Sequence, residues 1–181
     1  MVLDLSWGHP FTEDDLADRP DDGHRYELVD GALLVTPAPD VRHQICVTAI
    51  WMLLYGARTT THRVLVAPLD VRLSKATVLQ PDVLVARKSD LTKARLEGVP
   101  VLAVEVMSAS TRRIDLGLKR LTYEEARVPA YWLVDPEVPS LTVLHLEGGR
   151  YVEHAVVTGD EAYEAEFPFP VTVVPARLIE D

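Results

Sequence analysis

Cysteine is nearly missing from this chain: Cys46 is the only one in 181 residues, which excludes an intramolecular disulfide and a cysteine-rich zinc site. The histidines do not make up for it. His9, His24, His62, His145 and His154 form no metal-ligand spacing, and there is no His-Glu-x-x-His. Long apolar runs are absent too. The longest, Ile45 to Ala57, falls well short of the ~20 residues a membrane span needs, so no membrane partner is expected. The N-terminus is acidic and lacks the basic-then-apolar pattern of a secretory signal; a reducing, cytoplasmic setting is the expectation. No Gly-x-x-x-x-Gly-Lys and no Gly-x-Gly-x-x-Gly occurs, so no nucleotide cofactor is expected. Ser108, Ser110 and Thr111 lack the Gly-x-Ser-x-Gly elbow of a serine nucleophile.

Positive charge is also short, with 18 Lys and Arg against 28 Asp and Glu. A net charge of −10 is unfavourable for phosphate binding, which depends on basic side chains. The distribution softens that objection. Residues 40–127 hold 14 of the basic and 9 of the acidic residues, a net of +5, while the remainder carries −15. Such asymmetry allows a basic face on an acidic molecule, although from charge alone a solvated surface is the better reading.

What is present is a strand-rich, mixed α/β pattern long enough for one core. We expect an N-terminal extension over 1–24, with a short helix starting at Thr12-Glu13-Asp14-Asp15. Tyr26–Val29 and Ala32–Val35 flank Asp30-Gly31, the sequence of a hairpin. Asp40 is suited to cap a helix reaching about Ala57, with Val41, Ile45, Thr48, Met52 and Tyr55 along one face. Strands are expected at Val64–Leu73, Gln80–Ala86 and Val101–Met107, with Ser89–Gly98 as a charged connection. A second helix follows, with Ile114, Leu118 and Leu121 as apolar positions, until Pro129 stops it. Ala130–Val134 is a short buried strand, and Leu141–Leu146 with Tyr151–Val157 a final hairpin. The main domain spans 25–160, and 161–181 is expected as an extension along the surface. The central order is helix, three strands, helix, strand.

The chemistry resides in acids placed where acids are costly. Glu105 interrupts the apolar run Val101–Met107, and an ionised carboxylate in a buried strand needs a partner or a metal. Asp82 opens a second apolar run, so two neighbouring strands can set two acids side by side. On the second helix Asp115, Lys119 and Tyr123 recur at i, i+4 and i+8, nearly one face, and Lys119 can reach the space before both acids. Two acids and a lysine suffice for metal-assisted phosphodiester hydrolysis, with Mg²⁺ (or Mn²⁺ as substitute) held by oxygen ligands. Arg112 and Arg113 are candidate contacts to the phosphate backbone, and His43 is a weaker candidate for a phosphate, a core-edge histidine being the plainer alternative.

These residues resemble a known group. Pro81-Asp82 followed by Glu105-Val106-Met107 is similar to the divided motif of the PD-(D/E)xK nuclease superfamily, whose core is αβββαβ. More narrowly, the chain resembles the "putative restriction endonuclease" family long catalogued as a domain of unknown function. The matching segments run in order through Tyr26–Gly31, His43, Gln80–Val83, Val104–Thr111, Asp115, Lys119, Tyr123 and Tyr131–Asp135. The resemblance implies a restriction-endonuclease-like fold with an N-terminal and a C-terminal hairpin. It also implies Glu27 as an additional acid at the cavity, and the Val106 carbonyl as a metal ligand. The superfamily lysine would fall at Met107; in the narrower family it has moved to the following helix, which here means Lys119. Ser108-Ala109-Ser110-Thr111 replaces the family's Ser-Pro-Ser-Thr.

The expectation is therefore a Mg²⁺-dependent endonuclease acting on DNA. Asp82 and Glu105 would bind metal, Lys119 would place water or phosphate, and Glu27 and Asp115 would tune the site. Because cutting both strands of a duplex is simplest with two sites, a homodimer is expected. The alternative is a catalytically silent nuclease fold that binds nucleic acid or a protein partner. A two-carboxylate glycosidase is a third option, with no aromatic sugar cleft in the sequence to support it. Asp115 and Lys119 could also be no more than a surface i,i+4 pair worth ~0.3–0.5 kcal/mol.

Overall fold

The computed structural model describes residues 2–4, as backbone, and 9–180. Residues 1 and 5–8 of the expected N-terminal extension, and Asp181 of the C-terminal one, lie outside the described residues. The chain runs β1 (Val2–Asp4), α1 (Glu13–Ala17), β2 (Arg25–Val29), β3 (Ala32–Thr36), α2 (Val41–Ala57), β4 (His62–Val66), β5 (Val71–Ser74), β6 (Thr77–Leu79), β7 (Val83–Arg87), β8 (Leu96–Glu97) and β9 (Leu102–Val106). Next come α3 (Arg112–Ile114), a π turn over Asp115–Lys119, α4 (Arg120–Glu125), β10 (Ala130–Asp135), β11 (Ser140–Glu147), β12 (Arg150–Thr158), β13 (Tyr163–Ala165) and β14 (Val171–Val173).

Local chemistry explains the best-defined elements. Val29 pairs with Ala32 across Asp30-Gly31, and both turn residues have positive φ (48° and 78°), the two-residue turn whose twist suits a hairpin. Gly31 is needed there twice over, since a Cβ would also lie 2.4 Å from Pro10 Cβ. At the start of α2, the Asp40 carboxylate accepts from the His43 amide at 2.8 Å, satisfying one of the helix's orphan donors.

Two six-stranded sheets result, ordered β1-β3-β2-β6-β5-β8 and β12-β11-β10-β9-β7-β4. The second sheet, with α2 before it and α3–α4 between β9 and β10, has the expected order of helix, three strands, helix, strand. Strand β9 lies between antiparallel β7 and parallel β10, and all five of its residues are buried. Its alternation divides the core. Leu102, Val104 and Val106 join Cys46, Val47, Ile50 and Leu54 of α2, while Ala103 and Met107 join Tyr123, Tyr131 and Tyr151 on the opposite face. Glu105, by the same period of two, belongs to the Tyr123 face.

Several expectations need correction. The strand foreseen at 64–73 is split into β4 and β5, and the one foreseen at 80–86 begins only at Val83, behind a separate β6. Ala67-Pro68 separates β4 from β5, Gln80-Pro81 separates β6 from β7, and each break sends the chain from one sheet to the other. Proline cannot donate to a ladder, which makes it a natural point of departure. Ser89–Gly98 contains β8 instead of being wholly a connection. The α2 face foreseen as apolar core is the outer one: Val41 and Met52 are 75% and 57% exposed, and Tyr55 is exposed, whereas His43, Cys46, Val47, Ile50 and Leu54 are buried. Of the apolar positions foreseen on the second helix, Leu121 is exposed. The C-terminal segment does not simply follow the surface. Tyr163, Ala165, Phe169, Val173 and Leu178 enter the α2 core, and β1 likewise joins the first sheet through β3. No helix among the described residues is long and apolar enough to cross a membrane.

Candidate functional site

The antiparallel register of β7 and β9 pairs Val83 with Val104, so the next step places Asp82 across from Glu105. Three other segments close on this pair. Strand β2 supplies Arg25 and Glu27, which share a face at i, i+2. Helix α2 supplies His43. The π turn supplies Asp115 and Lys119. Their side chains line one cavity of about 140 Å³, walled by Thr36–Asp40 on one side and Ser108–Thr111 on the other. Glu27, Asp82, Glu105, Asp115 and Lys119 are each no more than 3% exposed.

Most of these charges, Asp115 excepted, have a partner of opposite sign or a hydrogen-bond donor within reach. The Lys119 ammonium forms an ion pair with Glu27 Oε1 at 2.9 Å and donates to Glu105 Oε1 at 3.0 Å. Tyr123 OH donates to the same Glu105 oxygen at 3.0 Å, and Gln80 N–H to Glu27 Oε1 at 2.8 Å. Asp82 Oδ1 accepts from Arg25 Nη1 at 2.8 Å; its Oδ2 accepts from the Val106 amide at 2.9 Å and pairs with His43 Nε2 at 3.1 Å. The surface-pair reading of Asp115 and Lys119 is thus set aside, because both are buried and Lys119 is bonded elsewhere.

The helix distortion is what aims them. Five residues of π geometry, Asp115–Lys119, interrupt the helix, a device common at functional sites. Tyr131 OH donates to the Asp115 carbonyl at 3.0 Å, tying the turn to β10. Ahead of it, Ser108 N–H donates to Thr111 Oγ1 (3.2 Å) and Thr111 N–H to Ser108 Oγ (3.3 Å). This reciprocal bonding fixes the turn.

The electrostatics follow from burying four carboxylates beside fewer cations. Burial works against the charge on Asp82, but the His43 hydrogen bond and the Arg25 guanidinium outweigh it and hold its pKa well below the usual range. Glu105 goes the other way. Burial raises it well above an ordinary carboxylate, with Asp82, Asp115 and Glu27 adding to the shift and Lys119 opposing it. Lys119 is penalised by burial yet kept protonated by Glu105 and Glu27. Asp115 is pushed up to about 6, by burial first and then by Asp82 and Glu27. Cys46 offers no nucleophile, since burial pushes its thiol up to about 12.

One consequence is a stability optimum in mildly acidic solution for the metal-free protein. Unfolded Asp115 releases its proton near 3.8 and the folded one near 6, so between those values the folded state binds more protons. Stability therefore falls as pH rises through that window, by up to about 3 kcal/mol. Glu105 acts in the same direction, and Asp82 in the opposite one below about pH 4. Urea unfolding in chelator at pH 4, 5, 6 and 7 measures this; stability that climbs from pH 4 to 7 refutes it.

Two acidic oxygens, Glu27 Oε2 and Asp115 Oδ2, are buried with no hydrogen-bond partner. Unmet acceptors beside surplus carboxylates are the chemistry of a hard cation site. Among the described residues no three His, Cys, Asp or Glu side chains are already grouped as a metal cage. Mg²⁺ does not require one, because it typically takes one or two carboxylates and keeps several waters. The donor set fits.

The other foreseen contacts fall differently. His43 is 6% exposed and spends Nε2 on Asp82, which makes it a positioning residue for that carboxylate. Arg112 is paired with Asp135, so its charge is largely taken up, while Arg113 is exposed. Val106 touches the site through its amide. Arg25 is the residue sequence reasoning missed. Its signal was the strand alternation that puts it two positions from Glu27.

No curated protein matches the chain. Among solved structures it is similar to "a putative nuclease belonging to DUF820" from Anabaena variabilis ATCC 29413, with a TM-score of 0.71 and 16% identity. That match covers 94% of this chain and 98% of the other. The fold is restriction-endonuclease-like, and family and fold together support a nuclease function. A family model matches residues 13–176, and the chain belongs to that family, Uma2, described as "Putative restriction endonuclease".

Proposed function

We propose that this protein is a metal-dependent endonuclease hydrolysing phosphodiester bonds in DNA. The observation that carries this reading is the single cavity in which Glu27, Asp82, Glu105 and Asp115 surround Lys119 and Arg25. With all six ionised, two negative charges are in excess, which a divalent cation would balance. Asp82 and Glu105, with the Val106 carbonyl, would hold Mg²⁺ or Mn²⁺. When bound, such an ion polarises the phosphate and acidifies a water for attack.

The chain's own residues do the rest. Lys119, held between Glu27 and Glu105, presents its ammonium to the attacked phosphate, where negative charge grows on the oxygens. Glu27 keeps that ammonium placed. Arg25, bonded to one edge of Asp82, is positioned to exchange that contact for a phosphate oxygen when Asp82 takes up metal. Asp115, pushed up to about 6, would have to release its proton beside a cation, so binding would strengthen as pH rises through that value, and the raised pKa of Glu105 acts in the same direction.

Calorimetric titration with Mn²⁺ at pH 7.5, alongside cleavage of labelled DNA, tests the proposal. Binding and cleavage are expected in the wild type, with both lost in Glu105→Ala. Absence of metal binding, or binding indifferent to Glu105, leaves the silent binding module as the better account.

A further inference from the structure

A second cavity, of about 240 Å³, abuts the acidic one and shares Arg25, His43 and Asp82 with it. Its character is different. Val47 and Trp51 of α2 and Val66 of β4 supply apolar surface, and Gln44 and Thr48 stand at its polar margin. Trp51 is held by a hydrogen bond from Nε1 to the Val64 carbonyl at 3.2 Å, so its ring is fixed in place. His43 lines both cavities, and its Nδ1 is buried without a partner. A flat, fixed aromatic directly next to the proposed phosphate-cleaving centre matches a central need of a nucleobase, a stacking surface.

Charge around the site bears on which nucleic acid can supply that base. Interfaces with duplex DNA are strongly positive, because many phosphates must be met at once. Here most of the nearby basic groups are already engaged, although Arg113 is exposed. Arg42 donates to the Pro136 carbonyl at 2.9 Å, Arg112 pairs with Asp135, and Arg25 and Lys119 belong to the cavity itself. A paired base, moreover, cannot enter a side cavity without leaving its stack, at a cost of a few kcal/mol. An unpaired strand bears no such cost.

We infer that the strand cut by this protein is unpaired at the cleavage position, and that the base beside the scissile phosphate enters the cavity formed by Val47, Trp51 and Val66. The inference rests on the nuclease reading above and narrows its substrate to single-stranded or locally unpaired nucleic acid. One strand needs one cut, so the chemistry sets no requirement for a second copy of the chain.

The test uses the full chain with Mn²⁺ and three labelled substrates of one sequence: a single strand, its blunt duplex, and single strands carrying an abasic nucleotide at successive positions. The single strand should be cut at least about tenfold more efficiently than the duplex. An abasic nucleotide at one position next to the cut should raise KM by roughly tenfold or more, with kcat little changed. Thr48→Phe, at an exposed site on the rim of the cavity, should erase the difference between intact and abasic strands, whereas Trp51→Phe, which keeps a ring, should retain it. Equal or faster cutting of the duplex, or indifference to abasic nucleotides at every position, overturns the inference. Hydrolysis of bis(p-nitrophenyl) phosphate, which has no base, separates the two levels. If Asp82→Asn abolishes it while the strand preferences fail, the nuclease reading stands and the base cavity falls; if the wild type hydrolyses nothing, both fall.

Discussion

Glu105→Gln is expected to leave the metal-free protein as stable as the wild type or more so, while lowering Mn²⁺-dependent cleavage by at least about a hundredfold. Glutamine keeps an oxygen to accept from Lys119 and Tyr123, which both lie 3.0 Å from Glu105 Oε1. It removes the charge that burial and the neighbouring carboxylates make costly. Lys119 retains Glu27 at 2.9 Å, so no buried cation is stranded. The thermal midpoint in chelator should hold or rise by a few degrees, about 2–4 °C per kcal/mol for a chain of this size, and the stabilisation by Mn²⁺ seen in the wild type should vanish. A melting point that falls clearly, or cleavage that survives, would show that Glu105 is a structural group. The side chain is one whose local cost is accepted for function.

Lys119→Met should do the reverse to stability. Methionine replaces the stem but not the ammonium, leaving Glu27 and Glu105 facing each other at no more than 2% exposure. Breaking a buried ion pair by removing one partner typically costs about 3–5 kcal/mol, so the melting point at pH 7 should drop by roughly 6–20 °C. The loss should be pH-dependent with a definite sign. Lys119 is what opposes the raised pKa of Glu105, so without it that carboxylate holds its proton to still higher pH, and stability is regained on acidification and lost as pH rises. Melting curves at pH 5 and pH 7.5, with and without Mn²⁺, check it. If the deficit is the same at both pH values, the ammonium is not what balances these acids. Asp82→Ala carries a related warning, because it would leave Arg25 and His43 without their shared carboxylate; the asparagine variant disturbs the fold less.

Much of the architecture was legible because local chemistry decided it. The Asp30-Gly31 turn, the Asp40 cap, the span of α2, the fully buried β9 and the final hairpin around Gly148-Gly149 all appear where the residues place them. The face of α2 was not legible. That helix is apolar on both sides, so Val41, Ile45, Met52 and Tyr55 form as regular a stripe as Cys46, Val47, Ile50 and Leu54. Only the sheet beneath could choose between them. The strand end before Pro68 was misjudged for a similar reason: the apolar pattern continues through the proline, and the change of sheet is a tertiary event.

The site divides the same way. A carboxylate in the middle of an apolar strand announces itself, since burying it without purpose is too expensive, and Glu105 was visible on that ground; Asp82 was marked by its place at the head of an apolar run, and Lys119 by helix spacing and the family resemblance. Chain order could not say that Arg25, with four strands and a helix in between, would take one edge of Asp82, or that His43 would take the other. Those are contacts between residues 57 and 39 positions apart. The residue types required for a nuclease-like centre are written into single segments, because each buried charge must carry its own justification. Which cation answers which acid, and which face of a helix meets the core, depended on the register of β7 against β9 and on the π turn before α4. Both are properties of packed segments, and neither is encoded in one segment alone.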